Sequence, residues 1–231
     1  MPADRPSTMV QDYLKVIWGA QEWDGGSITT SEIAEMLSVT PSSVSGNLKR
    51  LARDGLIEYE PYGAIELSAQ GRAEAVRMVR RHRLLETYLV ARLGYGWDEV
   101  HEEADQLEHS ISDRLLARMD ADLGHPRTDP HGDPIPAPDG SVARPDAGRL
   151  SDLGEGRCGR IARISDRDPG LLRYLDARGI GLGTHLHVDA RSEAAGVLAV
   201  SWDVEAEHRE LDLSLVAAEA MRIAPDEHAR G

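Results

Sequence analysis

At 231 residues with 41% apolar side chains, the chain is long enough for two or three domains, each with its own buried core. Its single cysteine, Cys158, excludes an internal disulfide and any multi-cysteine zinc or iron–sulfur site, so a transition-metal site is expected to use His and carboxylates. A net charge of −14 speaks against a protein that coats nucleic acid without specificity, because that affinity comes from Lys and Arg neutralising phosphates.

No stretch of eighteen apolar residues is present, and the opening MPADRPSTMVQDYLKV lacks the basic-then-apolar plan of a secretory signal, so the expectation is a cytoplasmic protein without a membrane partner. The basic residues are clustered. Lys49, Arg50 and Arg53 share one helical segment, and Arg77, Arg80, Arg81 and Arg83 another, so a positive face survives on an acidic molecule.

Residues 8–22 place Met9, Tyr13, Val16, Ile17 and Ala20 at helical spacing, with Asp12 near the start. Thr29 stands three residues before Glu32, a capping-box pattern, ahead of the apolar stripe Ile33, Met36, Leu37. Thr40-Pro41 supplies an N-cap and a proline at the first helical position of a third helix, whose stripe Val44, Leu48, Leu51 runs to Asp54-Gly55. LIEYEPYGAIELS then reads as a hairpin. Two short helices joined by a tight turn and followed by a hairpin predict a winged helix-turn-helix. The exposed start of the third helix, from Thr40 to Asn47, is rich in small hydrogen-bonding side chains suited to a groove.

Residues 70–92 predict one long helix, and Trp97 to about Leu123 another, the two together a candidate dimer interface. The stretch from His125 to Gly148 is dense in Pro, Gly and Asp and without periodicity, and reads as a linker. Beyond about residue 150 the pattern turns to β. GRCGRIARIS, THLHVDAR, GVLAVSWDV and ELDLSLV are strand candidates, with one helix, DPGLLRYLDARG, after the first, which suggests a small barrel.

On a helix, His101, Asp105, Glu108 and His109 lie at i, i+4, i+7 and i+8 and so share one face. His82 and Glu86, four apart on the preceding helix, have the spacing that lets an imidazole and a carboxylate meet one ion, and Asp12 of the first helix can converge with them. Each alone has a plain reading as a solvated charge; their coincidence is what suggests a site. Carboxylate and imidazole without thiolate suit manganese, ferrous iron or zinc, and the carboxylate-rich balance leans toward manganese. No catalytic motif such as His-Glu-x-x-His, Gly-x-Ser-x-Gly or a phosphate-binding glycine loop occurs, so neither an enzyme nor an organic substrate is expected.

The segments QDYLKVIW, SVTPSSVSGNLKRL, RRHRLLE, VHEEADQLEHSISDRL and DPHGDPIP, in this order, resemble the DtxR/IdeR/MntR family of metal-dependent repressors along nearly the whole chain, with the actinobacterial MntR branch as the nearest likeness. The resemblance implies a mainly α architecture with β. It places a winged helix-turn-helix DNA-binding domain at 1–72 and a helical dimerisation and metal-binding domain at 73–125. A linker follows at 126–150 and an SH3-like, FeoA-like barrel at 151–231. It also implies a homodimer that binds double-stranded operator DNA with Mn2+ as co-repressor. Fe2+ is the alternative, and Zn2+, Co2+ or Cd2+ are expected to substitute in vitro; a metal-independent winged-helix regulator is the contrasting possibility.

Carried over residue by residue, the resemblance puts a primary metal site on Asp12, Asp105, Glu108 and His109 and an ancillary one on His82, Glu86 and His101. Iron-sensing members carry Met and Cys where this chain has Asp12 and Asp105. Short manganese sensors have a Glu where it has Lys15. In three-domain members the barrel adds a Glu and a Gln; the matching region, Asp166 to Gly170, does not preserve that pair and leaves Asp168 as a weak candidate. Thr40, Ser42, Ser43, Ser45 and Asn47 are the base-edge or phosphate candidates, with Lys49, Arg50 and Tyr62 of the wing against the backbone.

Overall fold

The structure is a computed structural model that describes residues 6–24, 26–60, 63–143, 145–204 and 207–226. Two compact units divide them: Met1–His82 with Glu108–Ser112 and Pro136–Val142, and Arg83–Leu107 with Asp113–Ile135 and Ala143–Gly231. Among the described residues no helix is long and apolar enough to cross a membrane.

In the first unit, α1 (Thr8–Asp24), α2 (Thr30–Met36) and α3 (Pro41–Arg53) precede a hairpin of β1 (Ile57–Tyr59) and β2 (Ile65–Leu67) and the first part of α4 (Ala69–Tyr88). Local chemistry sets the helix starts. Thr29 and Glu32 form the full capping box, and Thr40 accepts from the Ser43 N–H with Pro41 opening α3. The stripes then bury one face of each helix: Tyr13, Leu14 and Ile17 of α1, Ile33 of α2, and Val44, Leu48 and Leu51 of α3 pack with Ile57 and Ile65 of the hairpin in one core. Each fully buried Leu or Ile contributes about 1.5–3 kcal/mol by leaving water. The hairpin is antiparallel, with Ile57 opposite Leu67 and Tyr59 opposite Ile65. Gly71 is required because a Cβ there would lie 1.9 Å from the Leu56 carbonyl oxygen.

In the second unit α4 ends in a π-helical turn, Leu89–Leu93, closed by Gly94 at φ 75°. α5 (Val100–Leu107) and α6 (Asp113–Asp122) follow. The expected single helix from Trp97 to Leu123 is therefore two helices, and the shared face of His101, Asp105, Glu108 and His109 is cut, since Glu108 and His109 leave the helix. Arg81 is the physical reason. Its buried guanidinium donates to the carbonyls of Glu108 at 3.2 Å and Ile111 at 2.7 Å, acceptors that a continuous helix would have used internally.

The C-terminal part is an SH3-like sheet domain of β3 (Gly148–Arg149), β4 (Cys158–Ile164), β5 (His185–Ser192), β6 (Val197–Val204), β7 (Glu207–Ser214) and β8 (Met221–Pro225). The antiparallel order is β3-β8-β4-β5-β6-β7. Alternation sends Leu186, Val188, Leu198, Val200 and Trp202 inward, where Leu172 and Leu175 of α7 (Pro169–Asp176) join them. Register shifts at Ile161/Arg163 and Val188/Ala190 mark bulges. The strand candidates of the sequence do not include β3 and β8, and ELDLSLV is not all strand. Ser214 ends β7 and caps α8 (Leu215–Glu219) by accepting from the Ala217 N–H.

The stretch read as a linker is irregular but not loosely solvated. Asp129, His131, Asp133 and Ile135 are buried, and the Asp129 Oδ1 accepts from the backbone N–H of His131 and Asp133, both at 2.9 Å. Gly132, at φ 87°, brings its backbone so near the Ala162 carbonyl that a Cβ would sit 2.1 Å from that oxygen.

Candidate metal centre

Two clusters of hard ligands stand out, one in each unit. In the first unit, Asp12 projects from α1 and Glu108 and His109 from the turn that Arg81 stabilises. The His109 Nε2 lies 3.0 Å from the Asp12 Oδ1 and 3.5 Å from the Glu108 Oε1. The other ring nitrogen fixes the tautomer. His109 Nδ1 is 2.8 Å from the Gln11 Oε1, while the Gln11 Nε2 donates to the Pro6 carbonyl, so Gln11 presents an acceptor and Nδ1 carries the proton. In the neutral ring a bare Nε2 lone pair then faces two carboxylates, the arrangement of a metal-ligating imidazole oriented from behind.

Glu108 is 1% exposed and has two cationic or donor neighbours: Lys15 Nζ at 2.7 Å and His82 Nδ1 at 2.7 Å. Burial alone would raise its pKa, but the His82 hydrogen bond and the Lys15 charge outweigh it and hold the carboxyl below its ordinary value. His82 thus has its Nδ1 on Glu108.

The second cluster gathers Glu86 of α4, His101 of α5 and Asp166 of the β4–α7 loop. His101 Nδ1 is 3.3 Å from the Glu86 Oε1 and 2.9 Å from the Asp166 Oδ2, and its Nε2 is 3.6 Å from the Asp105 Oδ2. Asp105, expected with Asp12, Glu108 and His109, belongs to the second unit, one turn after His101. Asp168 does not join the cluster. Its Oδ1 accepts from the Gly170 N–H at 2.8 Å and caps α7, so the acidic residue at this position of the site is Asp166, two residues earlier.

Sequence reasoning missed Asp129 and His131 altogether. They lie against Glu86, with one ligand atom from each of the three within 4.8 Å of the others and all three buried. His131 is 1% exposed, stacks on Trp97 with ring centroids 6.1 Å apart, and has its Nε2 2.7 Å from the Trp97 carbonyl. A carbonyl only accepts, so Nε2 carries the proton and the buried Nδ1, without a hydrogen-bond partner, points its lone pair at the Glu86 Oε2 3.9 Å away. Two buried acceptors then face each other, and a cation between them would serve both. Burial and the negative charges of Asp133 and Glu86 push the Asp129 carboxyl well above its usual range, with Arg83 opposing them. Arg83 and Arg163 meanwhile hold Asp133 in buried ion pairs. The only signal for this cluster in the sequence is the packing of two Asp, one His and one Gly into DPHGDP. Both clusters offer oxygen and imidazole nitrogen and no sulfur, a fit to a hard or borderline divalent ion.

Of the DNA-contact candidates, Thr40, Ser42 and Ser43 are exposed but bonded to one another at the start of α3. Ser45 Oγ donates to the Pro41 carbonyl, and Lys49 is exposed. Asn47 is turned inward, donating from Nδ2 to the Tyr13 hydroxyl at 3.0 Å, and Arg50 reaches the Met9 sulfur at 3.9 Å. Tyr62 lies outside the described residues.

Comparison with known proteins places these features in a family. Residues 7–65 match the iron dependent repressor N-terminal DNA binding domain, 68–137 the iron dependent repressor metal binding and dimerisation domain, and 148–224 the FeoA domain. The iron-dependent repressor IdeR of Mycobacterium leprae is 37% identical over 151 residues, covering 62% of this chain; the match spans 65% of that repressor's own length, just under two thirds. The diphtheria toxin repressor of Corynebacterium efficiens is 33% identical over 186 residues, covering 76% of this chain and 80% of that one. A solved structure of a manganese-dependent transcriptional repressor in complex with manganese superposes with a TM-score of 0.90 at 50% identity, covering 94% of this chain and 99% of its own. The chain belongs to the DtxR/IdeR/MntR family of metal-dependent transcriptional repressors.

Proposed function

We propose that the chain is a manganese-activated repressor that binds operator DNA as a homodimer in the cytoplasm, with no catalytic role. The observation that carries this reading is the first cluster, where Asp12 of α1 meets His109 and the buried Glu108. In this reading Asp105, three residues before Glu108, completes the set. Glu86, His101, Asp166, Asp129 and His131 hold a second ion. A bound divalent cation supplies the positive charge that lets these carboxylates share one point. The chain's own residues do the rest. Asp12 is followed by Tyr13, whose hydroxyl accepts from Asn47 of α3, and Tyr13, Ile17, Val44 and Leu48 belong to one core. Fixing α1 at Asp12 therefore fixes the recognition helix, so that two of them in a dimer can reach successive major grooves about 34 Å apart. Ser42, Ser43, Ser45 and Lys49 are the residues this helix offers to the duplex.

The absence of Cys and Met from both clusters, and the manganese held by the 50% identical repressor, support manganese. Ferrous iron is the second reading, supported by the likeness to the iron-dependent repressor of Mycobacterium leprae.

The test is DNA-binding anisotropy on genomic fragments enriched by the protein, titrated anaerobically with manganous, ferrous and zinc ions after chelation. Manganese is expected to act at lower or equal concentration to iron. Asp12→Ala and Asp105→Ala are expected to abolish the metal response while fold and dimer persist. A response to iron alone moves the chain to the iron branch, and an unchanged metal response in both variants rejects the site.

A further inference from the structure

A third set of ligands lies on the sheet domain, away from any residue used above. Cys158 opens β4, His185 opens β5 and Asp226 follows β8. Strand register brings them together. Cys158 pairs with His187 and Arg160 with His185, so with a period of two Cys158 and His185 are diagonal neighbours on one face. On the other side of β4, Gly159 pairs with Pro225, which sets Asp226 beside Cys158. One carboxylate oxygen, the Asp226 Oδ2, is 2.7 Å from the His185 Nε2 and 3.3 Å from the Cys158 Sγ, and all three donor atoms lie within 4.8 Å of one another.

We propose that Cys158, His185 and Asp226 form a separate cation site for a borderline transition metal of the zinc or cobalt type, one that discriminates against manganese. Bonds of about 2.3 Å to sulfur and about 2.0–2.2 Å to nitrogen and oxygen put tetrahedral ligands about 3.3–3.8 Å apart, and small rotations of these surface side chains reach that spacing. His185 and Asp226 are 43% and 38% exposed, so the fourth position is open to water and an ion can enter. Thiolate and imidazole select the softer ions, whereas the two carboxylate-rich clusters suit the harder one. As the metal–sulfur bond forms, the Cys158 proton leaves to solvent. The thiol is held protonated in the free protein by its hydrogen bond to Asp226, so binding should strengthen as pH rises. The inference does not depend on the repressor reading.

The chain's single cysteine makes the test selective. Under reducing, anaerobic conditions, Co2+ is titrated into the full chain while the ultraviolet sulfur-to-cobalt charge-transfer band is followed. The other two clusters contain no sulfur and cannot produce it. The band is expected to saturate at the intensity of about one thiolate-bound cobalt per chain, whatever cobalt the other clusters take up, to be displaced by zinc but not by manganese, to vanish in Cys158→Ser, and to weaken at least tenfold in apparent affinity in His185→Ala. Absence of the band at excess cobalt overturns the proposal. So does a band undiminished in both His185→Ala and Asp226→Asn, which would report a thiolate binding cobalt by itself. Circular dichroism of each variant confirms the fold.

Discussion

Replacing Arg81 by Met tests whether the turn that carries Glu108 and His109 is held from a distance. Arg81 is 3% exposed, and one of its guanidinium nitrogens donates to the Glu108 and Ile111 carbonyls at 3.2 and 2.7 Å. Methionine keeps most of the aliphatic stem's packing and removes the donors together with the positive charge. Two buried carbonyls are then left without that partner, and each such loss costs about 1–3 kcal/mol, so the expected destabilisation is about 2–6 kcal/mol, centred near 4. With a urea m-value of about 2 kcal/mol/M, the denaturation midpoint falls by about 2 M. The assay is urea unfolding in chelator, followed by circular dichroism, for the wild type, Arg81→Met and Arg81→Lys. Manganese affinity should fall with it, since Glu108 and His109 sit on that turn. A midpoint shift under about 0.3 M, which is about 0.6 kcal/mol, refutes the argument that Arg81 breaks the helix.

His131→Phe keeps the ring against Trp97 but deletes Nδ1; free-manganese electron paramagnetic resonance should show about one ion fewer per chain, and an unchanged stoichiometry would remove His131 from the second cluster. Asp166→Ala is expected to weaken that second ion at least tenfold, about 1.4 kcal/mol. Asp168→Ala should cost about 0.5–2 kcal/mol of cap stability and leave metal binding alone; calorimetry that reversed the two would exchange their roles. Gly132→Ala forces a positive φ on an L side chain and a collision with the Ala162 carbonyl, for an expected loss of about 3–5 kcal/mol in chemical denaturation. A stable variant would mean that the 129–135 turn relaxes freely.

What the sequence disclosed was chiefly local. Thr29 with Glu32 and Thr40 with Pro41 fix helix starts through neighbours three residues away, and the stripe Val44, Leu48, Leu51 needs only helical spacing to find the core. What it hid depends on distant partners. The break after Leu107 involves Arg81, 27 and 30 residues away from the carbonyls it satisfies. The 129–135 turn looks like a linker because nothing in it is periodic; its order comes from the Asp129 side chain and from Arg83 and Arg163 in other elements. The first cluster was legible from ligand types and the family resemblance, and the structure brings Asp12, Glu108 and His109 together. The choice between Asp166 and Asp168 was not, because both are aspartates before the same helix and only capping geometry separates them.

The Lys15 ammonium against Glu108 has a thermodynamic corollary. The buried carboxylate owns a counter-ion before any divalent ion arrives, so folding of the first unit need not wait for metal as it does in small zinc modules. On the proposed reading, a divalent ion that takes this carboxylate oxygen exchanges one cation for another. The work available to reorient a helix is the difference between those two partnerships, which sets a threshold concentration below which the ammonium simply keeps its place.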